Sequence, residues 1–124
     1  LQQRGGWASR DVVGWLTEYA AVLAARLGDR VAHWMVLNEP MVFTGAGHLL
    51  GLHAPGRRSV GAFMAATHHA ALAQAEGGRV LRAALPAAAQ IGTTFSCSYL
   101  TPWRPGLGCD EQATRRANAA LNRL

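Results

Sequence analysis

Residues 34–40 read Trp34-Met35-Val36-Leu37-Asn38-Glu39-Pro40, an apolar run that stops at an amide, a carboxylate and a proline in succession. Val31, Ala32 and His33 precede it, so the run is nearly all apolar and too short for a typical helix. A strand covered on both faces reads this way, as in a parallel sheet. The pattern therefore predicts a buried strand over residues 31–37 that runs straight into an acid. Pro40 biases the backbone of Glu39 towards an extended conformation and has no amide hydrogen of its own to compete for acceptors.

Working outward, residues 1–8 contain Gly5-Gly6 and read as a loop. Ser9 is placed to cap a helix, and Asp11 suits its positive end. Val12, Leu16, Tyr19, Ala20, Leu23 and Leu27 then recur at spacings of three and four, one apolar face of a helix. Gly28 supplies a left-handed stop. Beyond the strand, residues 38–58 carry Pro40, Pro55 and several glycines and are expected to form a long loop, with a helical turn near 42–50. Loops of that length are uncommon in compact domains unless they are functional.

Ser59 opens a second helix with Val60, Phe63, Met64, Thr67, Ala71 and Leu72 on one side. Gly77-Gly78 is expected to interrupt it, at a cost of roughly 1 kcal/mol per glycine relative to alanine. The helix resumes through Leu85 and ends before Pro86. Residues 90–95 form a second expected strand, 96–109 a second loop, and a last helix starts at Asp110 or Thr114 and runs to Leu124. Alternating helices and strands indicate an α/β architecture with a parallel sheet. Both loops follow the carboxyl ends of strands, where α/β barrels and open doubly wound sheets carry their active sites. Two strands cannot close a barrel, so the chain is expected to be a piece of a larger domain or to pair with copies of itself.

Composition narrows the function. Half of the 124 residues are hydrophobic and 15% are charged, which excludes a disordered chain. The net charge is +5, and all twelve basic residues are arginine, spread along the chain rather than gathered into one face with aromatics. Nucleic-acid and membrane partners are therefore not expected. Cys97 and Cys109 lie in no C-x-x-C pair and have no histidine at ligand spacing, which argues against zinc. One disulfide or two thiols in a reducing, cytoplasmic setting account for them equally.

Glu39 is the candidate catalytic residue. A strand end holds a side chain more rigidly than a loop does. A carboxyl partly shielded from water holds its proton towards neutral pH and can donate it to a leaving group. Asn38 beside it offers a donor and an acceptor, suited to a sugar hydroxyl. On spacing alone a bland alternative stands: an exposed glutamate at a strand end, balanced by one of the arginines.

The wider context resembles a known family. His33-Trp34-Met35-Val36-Leu37-Asn38-Glu39-Pro40 looks like the fourth barrel strand of the family 1 glycoside hydrolases, the β-glucosidases and β-glycosidases. Gly5-Gly6-Trp7, Glu18-Tyr19-Ala20 and Arg26-Leu27-Gly28-Asp29-Arg30-Val31 resemble the family's G-G-W, E-Y-A and F-G-D-R-V segments. Gly51-Leu52-His53-Ala54-Pro55-Gly56 resembles its G-x-H-A-P-G loop, His68-His69 with Leu72-Ala73 its next helix, and Ile91-Gly92 the start of its fifth strand. The matches run in order over essentially the whole chain.

The resemblance implies a partial (β/α)8 TIM barrel, residues 1–124 covering the third helix to the start of the fifth. It implies hydrolysis of β-glucosides or related glycosides with retention, Glu39 as general acid/base, Asn38 on the 2-hydroxyl of the sugar, and no metal or organic cofactor. A retaining enzyme also needs a second carboxylate about 5 Å from the first. The family carries it in an E-N-G motif, and none occurs here. Asp11, Glu18, Asp29, Glu76, Asp110 and Glu111 match no nucleophile position. The alternative is a catalytically inactive barrel remnant that self-associates or binds carbohydrate weakly.

Within the matched region Met41 stands where the family often has tryptophan, a position facing the leaving group. Ser96-Cys97 replaces a common asparagine, and Val36 a common threonine. His53 either lines the outer site or fixes the shape of its loop. One of His68 and His69 is expected to satisfy a buried hydrogen bond, and His33 and Trp34 to pack. Trp103 and Tyr99 follow the second strand and either stack on a sugar or pack the loop.

Overall fold

The computed structural model describes residues 1–122. After two short 3-10 turns, Gln2–Arg4 and Gly6–Ala8, the chain forms α1 (Asp11–Leu27), β1 (His33–Asn38), α2 (Pro40–Thr44), α3 (Val60–Ala84), β2 (Gln90–Thr94) and α4 (Gly108–Asn122). The two strands pair in parallel, with His33 opposite Gln90, Trp34 opposite Ile91 and Met35 opposite Gly92. The parallel α/β organisation read from the sequence is thus present, with α3 as the crossover between the strands.

The core lies where α1 and α3 cover one face of this sheet. Ala20 and Ala24 of α1 meet Trp34 of β1 and Leu81 and Leu85 at the end of α3, with Leu23, Val36, Ala89 and Ile91 packed around them. The buried indole of Trp34 donates from Nε1 to the Val31 carbonyl at 2.9 Å, so its one polar atom is satisfied as the ring is covered. The expected packing role of Trp34 holds, whereas His33 is exposed.

Four expectations are corrected. Gly77-Gly78 does not interrupt α3, which is continuous over 25 residues, and both glycines are buried. A Cβ on Gly77 would stand 3.1 Å from Val36 Cγ1, so this glycine lets the helix approach β1 closely. The buried stripe of α3 is Ala66, Ala70, Ala73, Gly77 and Leu81 rather than the bulkier side read from the sequence; Val60 and Met64 are 67% and 61% exposed. Small side chains admit a neighbouring backbone, and the large ones are turned away from it.

Gly28 is right-handed, not left-handed, at φ −61°. Its space explains it: a Cβ would lie 2.5 Å from the Ala24 carbonyl oxygen and 3.0 Å from Leu85 Cδ2. Finally, β1 is covered on one face only. Trp34 and Leu37 are buried, while Met35 is 59% exposed, because these residues supply helices to one side of the sheet. Smaller shifts occur at helix starts. Arg10 takes the cap position of α1, although Ser9 Oγ still accepts from the Asp11 amide at 3.3 Å, and α4 begins at Gly108. The remainder of the expected helix to Leu124 lies outside the described residues. The Ser59 cap is as expected, its hydroxyl accepting from the Ala62 amide at 3.2 Å.

Candidate active site at the strand ends

The carboxyl ends of β1 and β2 come together at Glu39. Met35 faces Gly92 and Asn38 faces Thr94, so three steps along β1 match two along β2, a bulge immediately before the acid. The Glu39 amide then donates to the Thr94 carbonyl at 2.8 Å. This bond locks the backbone of the acid to the end of the neighbouring strand. Asn38 is exposed at the last position of β1.

Glu39 itself is left-handed, at φ 46° and ψ 61°, the one non-glycine residue with positive φ among those described. The extended backbone expected from Pro40 is not adopted. The chain must turn from β1 into α2 within a single residue, with Pro40 already in the first helical turn, and the left-handed conformation makes that corner. For a residue with a Cβ it costs on the order of 1–3 kcal/mol, and such outliers gather at functional sites. Glu39 is half-buried. Among the described residues no side chain hydrogen-bonds to its carboxylate or pairs with it. The reading of Glu39 as a glutamate balanced by arginine is therefore not what the structure holds. Of the other six acids, Asp11, Asp29, Glu76, Asp110 and Glu111 each pair with an arginine, and exposed Glu18 on α1 pairs with none among the described residues.

The segment expected to be a loop is helical from Pro40 to Leu49. α2 passes into a π-helical turn, Gly45–Leu49, and Thr44 Oγ1 donates back to the Pro40 carbonyl at 2.8 Å. The following loop closes over this turn. The amides of Leu52 and His53 donate to the Ala46 carbonyl at 2.8 and 3.1 Å, Arg57 to Gly47 at 2.9 Å and Ser59 to His48 at 2.9 Å. Gly47 is required here, because a Cβ would run into the Ala54 carbonyl. His53 is exposed and Pro55 half-buried.

The Gly5-Gly6-Trp7 segment braces the same region. Gly5 and Gly6 take φ of 100° and 55°, and the Trp7 ring lies 4.7 Å from that of Phe43 on α2. The Trp7 carbonyl accepts from Nδ1 of His69 at 3.1 Å, the hydrogen bond expected of one of the paired histidines. His48, by contrast, is buried, and its Nδ1 has no hydrogen-bond partner among the described residues; no sequence signal singles it out.

Residues 95–107 follow β2 without regular structure but are tied to α4. Asp110 accepts from the Arg104 amide at 3.1 Å and from its guanidinium at 3.0 and 3.3 Å, and Glu111 accepts from the Gly106 amide at 3.2 Å. Arg104 holds the Asp110 carboxyl below its usual range. Asn122 brackets Ser98, donating to its carbonyl at 2.7 Å and accepting from its amide at 3.1 Å. Cys97 and Cys109 are free and exposed. Among the described residues no group of three histidine, cysteine or acidic side chains is arranged to hold a metal, and no helix is long and apolar enough to cross a membrane.

A cavity of about 430 Å³ opens between α2, α3 and β2, lined by Met41, Thr67, Gln74, Arg82, Ile91 and Phe95 among others. Neither Asn38 nor Glu39 lines it. Met41 thus borders the groove on the helix side of the sheet.

The structure thus holds a parallel β1–α3–β2 unit with a carboxylate at the joined strand ends. The family model described as glycosyl hydrolase family 1 matches residues 1–124, and the chain belongs to that family. It is 41% identical over 102 residues to a 1,4-beta-D-glucan glucohydrolase of Thermotoga neapolitana, covering 82% of this chain and 24% of the relative. It is 42% identical over 125 residues to the thermostable beta-glucosidase B of Thermobispora bispora, covering 99% and 24%. The solved family 1 β-glucosidase from Thermotoga maritima superposes with a TM-score of 0.89 at 38% identity, over 98% of this chain and 27% of that one. The chain is accordingly a partial (β/α)8 barrel and spans about a quarter of the length of these relatives.

Proposed function

We propose that these residues form the acid/base segment of a retaining β-glucosidase. In this reading α1 is the third barrel helix, β1 the fourth strand, α3 the fourth helix, β2 the fifth strand and α4 the start of the fifth helix. The observation that carries the proposal is the setting of Glu39: backbone bonded to Thr94, left-handed at φ 46°, and its carboxylate without a side-chain partner among the described residues. A carboxylate held rigidly and left free is available to a substrate oxygen.

Glu39 would first protonate the glycosidic oxygen as the bond to the leaving group breaks, then take a proton from the water that attacks the glycosyl-enzyme. Asn38, one residue earlier at the strand end, would hold the 2-hydroxyl of the sugar, a contact that strengthens as charge develops at the ring. The nucleophile must come from residues outside these 124, since they contain no E-N-G segment. The relatives named as β-glucosidases, and the Thermotoga maritima enzyme solved with deoxynojirimycin, support a β-glucoside as substrate.

In an active enzyme carrying this segment, Glu39→Gln should slow glucosides with poor leaving groups by about 10²–10⁴-fold and activated aryl glucosides far less. Equal losses for both classes would remove the acid role.

The second reading, an inactive remnant that self-associates, is favoured by the two-stranded sheet, in which each strand has one unpaired edge among the described residues and Met35 of β1 is 59% exposed.

A further inference from the structure

We infer that Trp7, Phe43 and His69 form a brace that positions the carboxylate of Glu39, an inference that rests on the acid/base reading above. The two sides of Glu39 are held separately. Its amide donates to the Thr94 carbonyl, which fixes the strand side. Its carbonyl accepts from the Val42 amide at 2.9 Å, and Thr44 Oγ1 donates to the Pro40 carbonyl at 2.8 Å, so the helix side follows α2 as one stiff piece. α2 is only five residues long. A helix this short draws its stability and its direction from what it packs against.

That support comes from the segment before α1. The Phe43 ring meets the Trp7 ring with centroids 4.7 Å apart and planes inclined by 35°, within the range of favourable aromatic pairs. Trp7 sits in the turn Gly6–Ala8, closed by the amides of Ala8 and Ser9 donating to the carbonyls of Gly5 and Gly6 at 3.2 and 3.0 Å. The Trp7 carbonyl in turn accepts from His69 Nδ1 at 3.1 Å. A carbonyl can only accept, so Nδ1 carries the hydrogen. His69 is half-buried on α3, one turn from Ala66 and from Ala73, both fully buried. A chain of contacts thus runs from α3 through His69, Trp7 and Phe43 to the helix that Glu39 opens. The left-handed backbone of Glu39 persists only while its surroundings over-determine it. Without the brace α2 is free to swing, that backbone relaxes, and the carboxylate leaves its place. A displacement of about 1 Å costs on the order of 10²-fold in rate. The three residues are positioning residues that act through Glu39.

The test compares methyl β-glucoside, whose leaving group needs an acid, with dinitrophenyl β-glucoside, whose leaving group does not. In an active enzyme carrying this segment, His69→Leu and Phe43→Leu should each lower kcat/KM for the methyl glucoside about tenfold more than for the dinitrophenyl glucoside. Phe43→Leu keeps an apolar side chain at the contact and decides the matter where His69→Leu does not fold. His69→Asn, whose amide places an N–H near the position of Nδ1, should recover most of the difference. Equal losses for both substrates would mean that these residues only stabilise the fold and would overturn the inference. So would parental kinetics in both variants, or no recovery in His69→Asn. Glu39→Gln is measured alongside. If it shows the leaving-group dependence and the brace variants do not, the inference fails and the acid/base reading stands; if Glu39→Gln shows equal losses, both fall.

Discussion

At the scale of single residues, the conformation of Glu39 is the feature that sequence reasoning got wrong and the feature that matters most. Pro40 disfavours a helical backbone before it, which led to an extended Glu39. What the sequence does not display is the tertiary demand at that point: a bulge in β1, an amide bond to Thr94 and a helix starting at the next residue leave a left-handed corner. The place of Glu39 at a strand end was legible, because the apolar run of β1 stops at Asn38-Glu39-Pro40. His48 was not, since a lone histidine between glycine and leucines carries no spacing signal. The residue-scale prediction concerns Asn38. Asn38→Ala should lower kcat/KM for a β-glucoside by about tenfold to a hundredfold, and should have little effect on the 2-deoxy analogue, which lacks the hydroxyl it is proposed to bind. Equal losses on both substrates, measured by steady-state kinetics, would place Asn38 outside the sugar contact.

At the scale of elements, the helices and strands were readable from periodicity, but the face each one buries was not always so. α3 illustrates the reason. Its hydrophobic residues Val60 and Met64 point outward, and its alanines and glycines point inward, because closeness to β1 and α1 outweighs side-chain size. The two glycines should therefore respond in opposite directions. Gly77→Ala should destabilise the fold by about 1 kcal/mol, since its Cβ meets Val36 Cγ1 at 3.1 Å. Gly78→Ala, whose nearest atom is the mobile end of Arg82 at 3.5 Å, should be neutral or stabilise by up to about 1 kcal/mol through helix propensity. Denaturant midpoints of the two variants decide it, and an equal shift in both would contradict the packing described for Gly77. The loop before α4 offers a pH prediction. Arg104 keeps the Asp110 carboxyl below its ordinary value of 3.8, so its contribution is complete above that value and is lost as pH falls through the lower folded value. Exchange of the Arg104 amide should accelerate over that acid range relative to other amides, and Asp110→Asn should abolish the pH step.

At the scale of the whole molecule, one sheet face is covered and the other is bare. Continuous apolar sequence in β1 indicated a strand covered twice, and these residues cover it once. The family and the barrel fold were legible by resemblance, and the roles of Asn38 and Glu39 are proposals built on it. The groove beside Met41 and the hydrogen bonds that tie residues 98–106 to α4 depend on three-dimensional neighbours and had no signature in the chain. Expressed alone, residues 1–124 should show no glycosidase activity and should associate through the bare face and open strand edges. Light scattering that found a cooperative monomer would contradict the second half of that expectation. The central claim, that Glu39 is the acid/base and not the nucleophile, is tested most directly by the stereochemistry of rescue. In an active enzyme carrying Glu39→Ala, an activated aryl β-glucoside still forms the glycosyl-enzyme, and azide attacks it without needing a base. Two inversions then give β-glucosyl azide, the predicted product. Formation of α-glucosyl azide would mean a single direct displacement, making Glu39 the nucleophile and contradicting the account.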